Sequence, residues 1–77
     1  MQQSLKQGIY QHYKGAHYKV HHLATHSETG EIMVVYQTLY GDFDFWVRPL
    51  SMFIEQVIID GVSIPRFKYI CENEYAK

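Results

Sequence analysis

The chain has 77 residues, 47% of them apolar and 16% aromatic, which suits one folded domain whose large rings supply much of the core volume. Seven basic residues against eight acidic ones leave a net charge of -1, so no overall field draws in a phosphate backbone. The single cysteine, Cys71, excludes an internal disulfide and a cysteine-built zinc site, and no apolar run approaches membrane-spanning length.

Residues 1–7 carry Gln, Ser and Lys rather than a basic start and an apolar stretch. They are expected to be a flexible segment and not a secretory signal. From Gly8 onward the apolar pattern has period two, which predicts consecutive antiparallel strands. The first is expected over Gly8 to Tyr13, with Lys14-Gly15 as a two-residue hairpin loop because Gly tolerates positive φ. That loop sets Gln11 opposite Tyr18, Ile9 opposite Val20 and His12 opposite His17. A long second strand, Ala16 to His26, leads to a three-residue loop, Glu28-Thr29-Gly30, which sets Ala24 opposite Val34, His22 opposite Tyr36 and Tyr18 opposite Tyr40.

The third strand, Glu31 to Tyr40, is apolar on both faces and therefore central. Gly41-Asp42 turns the chain into a fourth strand, Phe45 to Arg48, and Leu50 to Phe53 suits one helical turn after Pro49. Glu55 to Ile59 is a fifth strand, Asp60-Gly61 a turn, and Arg66 to Ile70 a last strand placed on an edge by Pro65. The expected fold is all-β: a small antiparallel SH3-like barrel of five or six strands with one short helical turn, spanning residues 8–71. Residues 72–77 are expected to fray. The expected core is Ile9, Tyr18, Val20, Ala24, Val34, Tyr36, Val47, Phe53 and Val57.

Three constellations could carry chemistry. His12, His17, His21, His22 and His26 are dense, but residues four apart on a strand are roughly 13 Å apart. Only the His12 and His17 pair could share an ion, too few ligands for a structural metal, so no metal is expected. His26-Ser27-Glu28-Thr29 holds a base, a hydroxyl and a carboxylate within one turn. Adjacent residues rarely reach triad geometry, and hydroxyls capping the turn explain it better. In Trp46-Val47-Arg48-Pro49, alternation groups Trp46 with Arg48 and sends Val47 to the other face, into the core with Phe45. Arg48 then either holds an anion beside the indole or braces the carbonyls of the helical turn. No phosphate loop or dinucleotide fingerprint is present, so no cofactor is expected. Cys71 lacks an evident activating neighbour in the sequence.

Taken together, Tyr10-x-His12-Tyr13-Lys14-Gly15-x-x-Tyr18-x-Val20, Ala24-x-His26-Ser27-Glu28-Thr29, Met33-Val34-Val35-Tyr36-Gln37-x-Leu39-Tyr40-Gly41 and Trp46-Val47-Arg48-Pro49-x-x-Met52-Phe53 resemble the bacterial domain-of-unknown-function family 1653. The resemblance runs from Gly8 to about Phe67 and brings no established activity. It implies that His12, Lys14, His26, Glu28, Gln37 and Arg48 do more than fill a core. Asp42-Phe43-Asp44 is a local variant of the segment before the Trp, which puts a ligand contact from that loop in doubt.

Two readings follow. The first is a cytoplasmic binding module, monomer or weak homodimer, that recognises a peptide, a nucleic acid or a small anionic ligand through Trp46, Arg48, Tyr40, Lys14, His12, His26 and Glu28, with no membrane partner. The second is a small cofactor-free enzyme using His12 or His26 with Glu28 as acid and base. They differ in geometry: catalysis needs those groups in one pocket.

Overall fold

The computed structural model describes residues 5–72. Seven strands and one helical turn follow in the order β1 (Gly8–His12), β2 (His17–Thr25), β3 (Ile32–Thr38), β4 (Phe45–Pro49), α1 (Leu50–Phe53), β5 (Gln56–Ile59), β6 (Val62–Pro65) and β7 (Phe67–Cys71). Five strands form one antiparallel sheet in the order β4-β3-β2-β1-β7, and β5 pairs with β6 as a separate ribbon. No ladder joins β4 to β7; the sheet curls but is open, where a closed barrel of five or six strands is the sequence expectation. The additional strand, β6, arises because Asp60 (φ 52°) and Gly61 (φ 79°) both adopt the positive φ of a two-residue hairpin turn. The chain therefore pairs back at once, Ile59 opposite Val62.

Loop size moves the register of both long hairpins. The first loop has three residues rather than two, because the His12 N–H bonds to the Ala16 carbonyl at 2.8 Å and the Gly15 N–H to the His12 carbonyl at 2.7 Å. Tyr10 thus faces Tyr18 and Gln11 faces His17; His12 and His17 are not cross-strand partners. In the second hairpin the His26 N–H bonds to the Glu31 carbonyl at 2.8 Å, enclosing residues 27–30. A bulge between Val20 and His22 then absorbs one residue, so Tyr18 faces Thr38, Val20 faces Tyr36 and Leu23 faces Val34. Expected partners Ala24 with Val34 and His22 with Tyr36 are both displaced. The bulge is what allows Val20 and Leu23, three apart, to share the inner face.

The core consists of Tyr10, Tyr18, Val20, Val34, Tyr36, Leu50, Phe53 and Phe67. Ile9 is also fully buried but outside that cluster. Of the expected core, Val57 is half-buried and Ala24 is exposed, having moved to the outer face with the bulge. Val47 and Phe45 are each 61% exposed: Tyr36 faces Trp46 across the ladder, and cross-strand partners share a face, so Trp46 and Arg48 turn inward instead. α1 contributes Leu50 and Phe53, both buried, and Phe53 stacks on Phe67 with ring centroids 4.0 Å apart. Before β1, Leu5 packs against the core, and the Tyr10 hydroxyl donates to the Lys6 carbonyl at 2.6 Å. The tail expected to fray lies, from residue 73, outside the described residues, as do residues 1–4.

Gly8 starts β1 at φ 140°, and a Cβ there would lie 2.4 Å from the Cys71 carbonyl oxygen. Neither the backbone angle nor the space admits a side chain. Gly8→Ala should therefore destabilise by ~2 kcal/mol or more, and Val34→Ala, at a site with 0% exposure, by about 1 to 3 kcal/mol through lost burial and a small cavity. Denaturant midpoints measure both; an unchanged midpoint for Gly8→Ala would show that β1 does not approach β7 in this way.

Candidate ligand-binding face

The inner face of the sheet is an aromatic surface with cations at its rim. Tyr36 is its centre: its ring meets Tyr18, Trp46, Phe53 and Phe67 in edge contacts. A phenol buried to 2% exposure needs a partner for its oxygen, and the Arg48 Nε–H donates to it at 3.2 Å. That bond aims Arg48 across the inner face, with its guanidinium carbon 5.6 Å from the Phe67 centroid. Arg48 thus binds Tyr36 rather than the carbonyls of the helical turn. Phe67 lies on β7 and Arg48 on β4, the two sheet edges, so the curl of the sheet brings them together. Among the described residues no carboxylate forms an ion pair with Arg48.

Around this pair the sequence-expected residues divide. Trp46, 42% exposed, lies 6.0 Å from the Tyr18 ring, and Tyr40, also 42% exposed, shares a hydroxyl hydrogen bond of 2.8 Å with Tyr18. Burial and the bond to Tyr40 push the Tyr18 hydroxyl well above its ordinary value, so it remains a neutral donor or acceptor at physiological pH. His12 meets Phe67 edge to face with ring centroids 5.0 Å apart and stacks on Tyr13 with centroids 4.5 Å apart. Its Nδ1 accepts the Lys14 N–H at 3.1 Å, which closes the first turn and leaves Nε2 to carry the proton. Lys14 extends over the Tyr13 ring at 5.9 Å. Trp46, Arg48, Tyr40, His12 and Lys14 therefore border one surface.

His26 and Glu28 do not join it. The nine residues of β2 hold the second turn roughly 25 Å from the first at the usual strand rise. There His26 repeats the role of His12: its Nδ1 accepts the Glu28 N–H at 3.2 Å and the Thr29 N–H at 3.3 Å. Thr29 Oγ1 accepts the Glu31 N–H at 3.1 Å. The turn is capped by His26 and Thr29, and of the two histidines of the catalytic reading only His26 lies in the same turn as Glu28. Gln37 braces the outer face, bonded to His21 Nε2 at 2.8 Å and donating to the Phe43 carbonyl at 3.0 Å. Among the described residues no group of three or more His, Cys, Asp or Glu side chains could hold a metal, and no helix is long and apolar enough to cross a membrane.

Two residues that pattern reading did not single out complete the surface. Phe67 is its floor. Arg66 pairs with Glu55 at 3.5 Å, while its Nε is buried without a partner. An open groove of about 430 Å³ continues past His12, lined by Gln11, His12, Tyr13, Ile64, Pro65 and Lys68. The positive character of the region registers on His12. Burial first, then Arg66, Arg48 and Lys14, lowers its pKa from the ordinary 6.5.

Comparison with known proteins places these features on a shared scaffold. The model of a family described as a protein of unknown function (DUF1653) matches residues 8–69. The chain is similar to a crystal structure of a protein belonging to that family from Bordetella bronchiseptica, with 38% sequence identity, a TM-score of 0.79, and coverage of 86% of this chain and 87% of the other. No curated protein matches.

The lowered pKa of His12 has a sign that can be checked. The unfolded chain takes up this proton more readily than the folded one, so the His12 contribution is constant above 6.5 and turns against folding as the pH falls below it, levelling off beneath the folded value. Protonation of Nδ1 would also break the bond from the Lys14 N–H. NMR titration should find His12 titrating below 6.5, and further removed from it than in Arg48→Ala, where one of the three cations is gone. An elevated His12 pKa would mean that the cations do not converge there.

Proposed function

The chain belongs to the DUF1653 family of proteins of unknown function, and we infer from the site itself that it is a binding module for an anionic group carried by a small molecule or an extended polymer. The observation that carries this reading is Arg48. Its guanidinium is fixed by the Tyr36 hydroxyl over Phe67, without a carboxylate partner among the described residues. A fixed, unneutralised guanidinium loses little freedom when it takes a carboxylate or phosphate. Trp46 and Tyr40 offer flat apolar area on one side of it, and His12 with Lys14 a polar border on the other.

The curled, open sheet is read here as an incompletely closed SH3-like barrel, because one helical turn precedes β5 and contacts bridge the two sheet edges. An unclosed mouth leaves Trp46, Tyr40 and part of Arg48 reachable at the rim of the buried inner rings. The lone cysteine and the absence of a disulfide framework favour a reducing compartment such as the cytoplasm.

Chemical-shift perturbation with a short acidic peptide, a single-stranded oligonucleotide and a phosphorylated metabolite tests the proposal. The expected responses are at the Trp46 indole, the Arg48 side chain and His12. Arg48→Ala should weaken binding by roughly ten- to hundredfold, the usual worth of a hydrogen bond to a charged group, while the amide spectrum stays dispersed. Shifts clustering elsewhere, or undiminished binding by Arg48→Ala, would defeat it.

A further inference from the structure

β4 ends the sheet, and its outer edge is unpaired among the described residues. The direction of its backbone groups follows from one bond. The Thr38 N–H donates to the Asp44 carbonyl at 2.9 Å, in register with Gln37 opposite Phe45 and Tyr36 opposite Trp46. In an antiparallel ladder bonded and non-bonded pairs alternate, so Asp44, Trp46 and Arg48 turn their N–H and C=O toward β3. Phe45 and Val47 turn theirs to the open edge. Pro49, two residues further on, lacks an N–H and needs none there.

This edge is also apolar on both faces. Phe45 and Val47 are 61% exposed on the outer face and Trp46 is 42% exposed on the inner one. Edge strands are ordinarily blunted by charge or proline along their length, and here proline stands only at the end. A strand completing this edge in antiparallel sense would set an acidic residue against Arg48, an apolar one against Val47, a ring against Trp46 and an apolar one against Phe45. Read along the chain, that pattern is Asp44-Phe45-Trp46-Val47.

We propose that β4 is a pairing edge through which two copies of this chain join antiparallel, about a two-fold axis at Trp46. In that register Phe45 of each copy faces Val47 of the other, and each such pair exchanges both N–H···O bonds through the groups that point to the edge. Trp46 meets Trp46 on the axis, and Asp44 faces Arg48 on either side of it, all on the inner face. Two other placements of the axis do worse. A two-fold axis at Val47 would set Phe45 against Pro49, which has no N–H to give, and would leave Asp44 without a cation. An axis between residues would oppose an edge-pointing backbone to an inward-pointing one. The contact is isologous and closes at two copies.

Anion binding at Arg48 and pairing with Asp44 draw on the same guanidinium, but the pairing is tested without any ligand. Sedimentation equilibrium from micromolar to millimolar protein should show a reversible monomer–dimer equilibrium. Asp44→Lys, at an exposed side chain whose backbone alone serves the fold, should weaken the dimer at least about tenfold by setting like charges together. Val47→Pro, which removes an edge N–H that β3 does not use, should abolish it, with circular dichroism confirming the fold. In a Cys71→Ser background, Trp46→Cys should crosslink to its own copy under mild oxidant, since non-bonded pairs bring Cα atoms to about 4.5 Å, whereas Val47→Cys should not. A wild-type monomer throughout the range overturns the proposal. So does a dimer that tolerates Asp44→Lys and yields no Trp46→Cys crosslink, and a monomer that takes an acidic peptide along β4 would assign the edge to a different occupant.

Discussion

The structure turns on the buried hydroxyl of Tyr36. A ring at 2% exposure in the centre of the sheet contributes more apolar area than any aliphatic residue could, and a domain this short needs that area. Its oxygen, however, costs roughly 1 to 3 kcal/mol if left without a partner. The Arg48 Nε–H meets the requirement, and in doing so a cation is drawn over the inner face, above Phe67. Core and candidate site are therefore one arrangement. The cost of burying a phenol is what positions the guanidinium, and the surrounding rings of Tyr18, Trp46, Phe53 and Phe67 hold both in place.

A second constraint sets where the strands can lie. Thr38 is buried at 3% exposure; its hydroxyl donates to the Tyr40 carbonyl at 3.1 Å and accepts the Asp44 N–H at 3.0 Å. These two hydrogen bonds to the backbone fold the β3–β4 loop onto itself and fix the phase of β4. From that phase follow both the inward direction of Trp46 and Arg48 and the outward direction of the Val47 backbone. One threonine thus controls which side chains face the aromatic surface and which backbone groups face solvent.

Much of this was legible in the sequence, and the parts that were not share a cause. Period-two patterning with Gly15, Gly30 and Gly61 marks the strands and turns, and Leu50 to Phe53 reads as a helical turn. Register is another matter, because it depends on the size of each loop by single residues. His12 and His26 close their loops by accepting backbone N–H groups on Nδ1, a use of histidine that residue type alone does not announce. The bulge at His21 is silent for a similar reason: His21 and His22 are both polar, so the sequence does not show whether Leu23 or Ala24 continues the inner face. Grouping Trp46 with Arg48 needs only alternation, whereas choosing their face requires knowing that β4 is an edge whose outer side nothing covers. There a half-exposed Trp and a snorkelling Arg fit the inner rim, and Val47 is left outside.

The remaining site residues were hidden by distance along the chain. Phe67 meets His12 as its direct cross-strand partner, but it reaches Arg48 only because the curl of the five strands brings β7 across to β4. No local pattern encodes that curl. His26 and Glu28 err in the opposite direction: they lie in one motif with the site residues by sequence order, yet the length of β2 carries them to the other end of the molecule. The openness of the sheet links the two proposed features. Were the sheet to close, Arg48 would be sealed between β4 and β7 and the β4 backbone would be satisfied within one chain. Because it does not, the cationic face stays reachable and the edge beside it stays unpaired, and a ligand and a second copy are both offered the same strand.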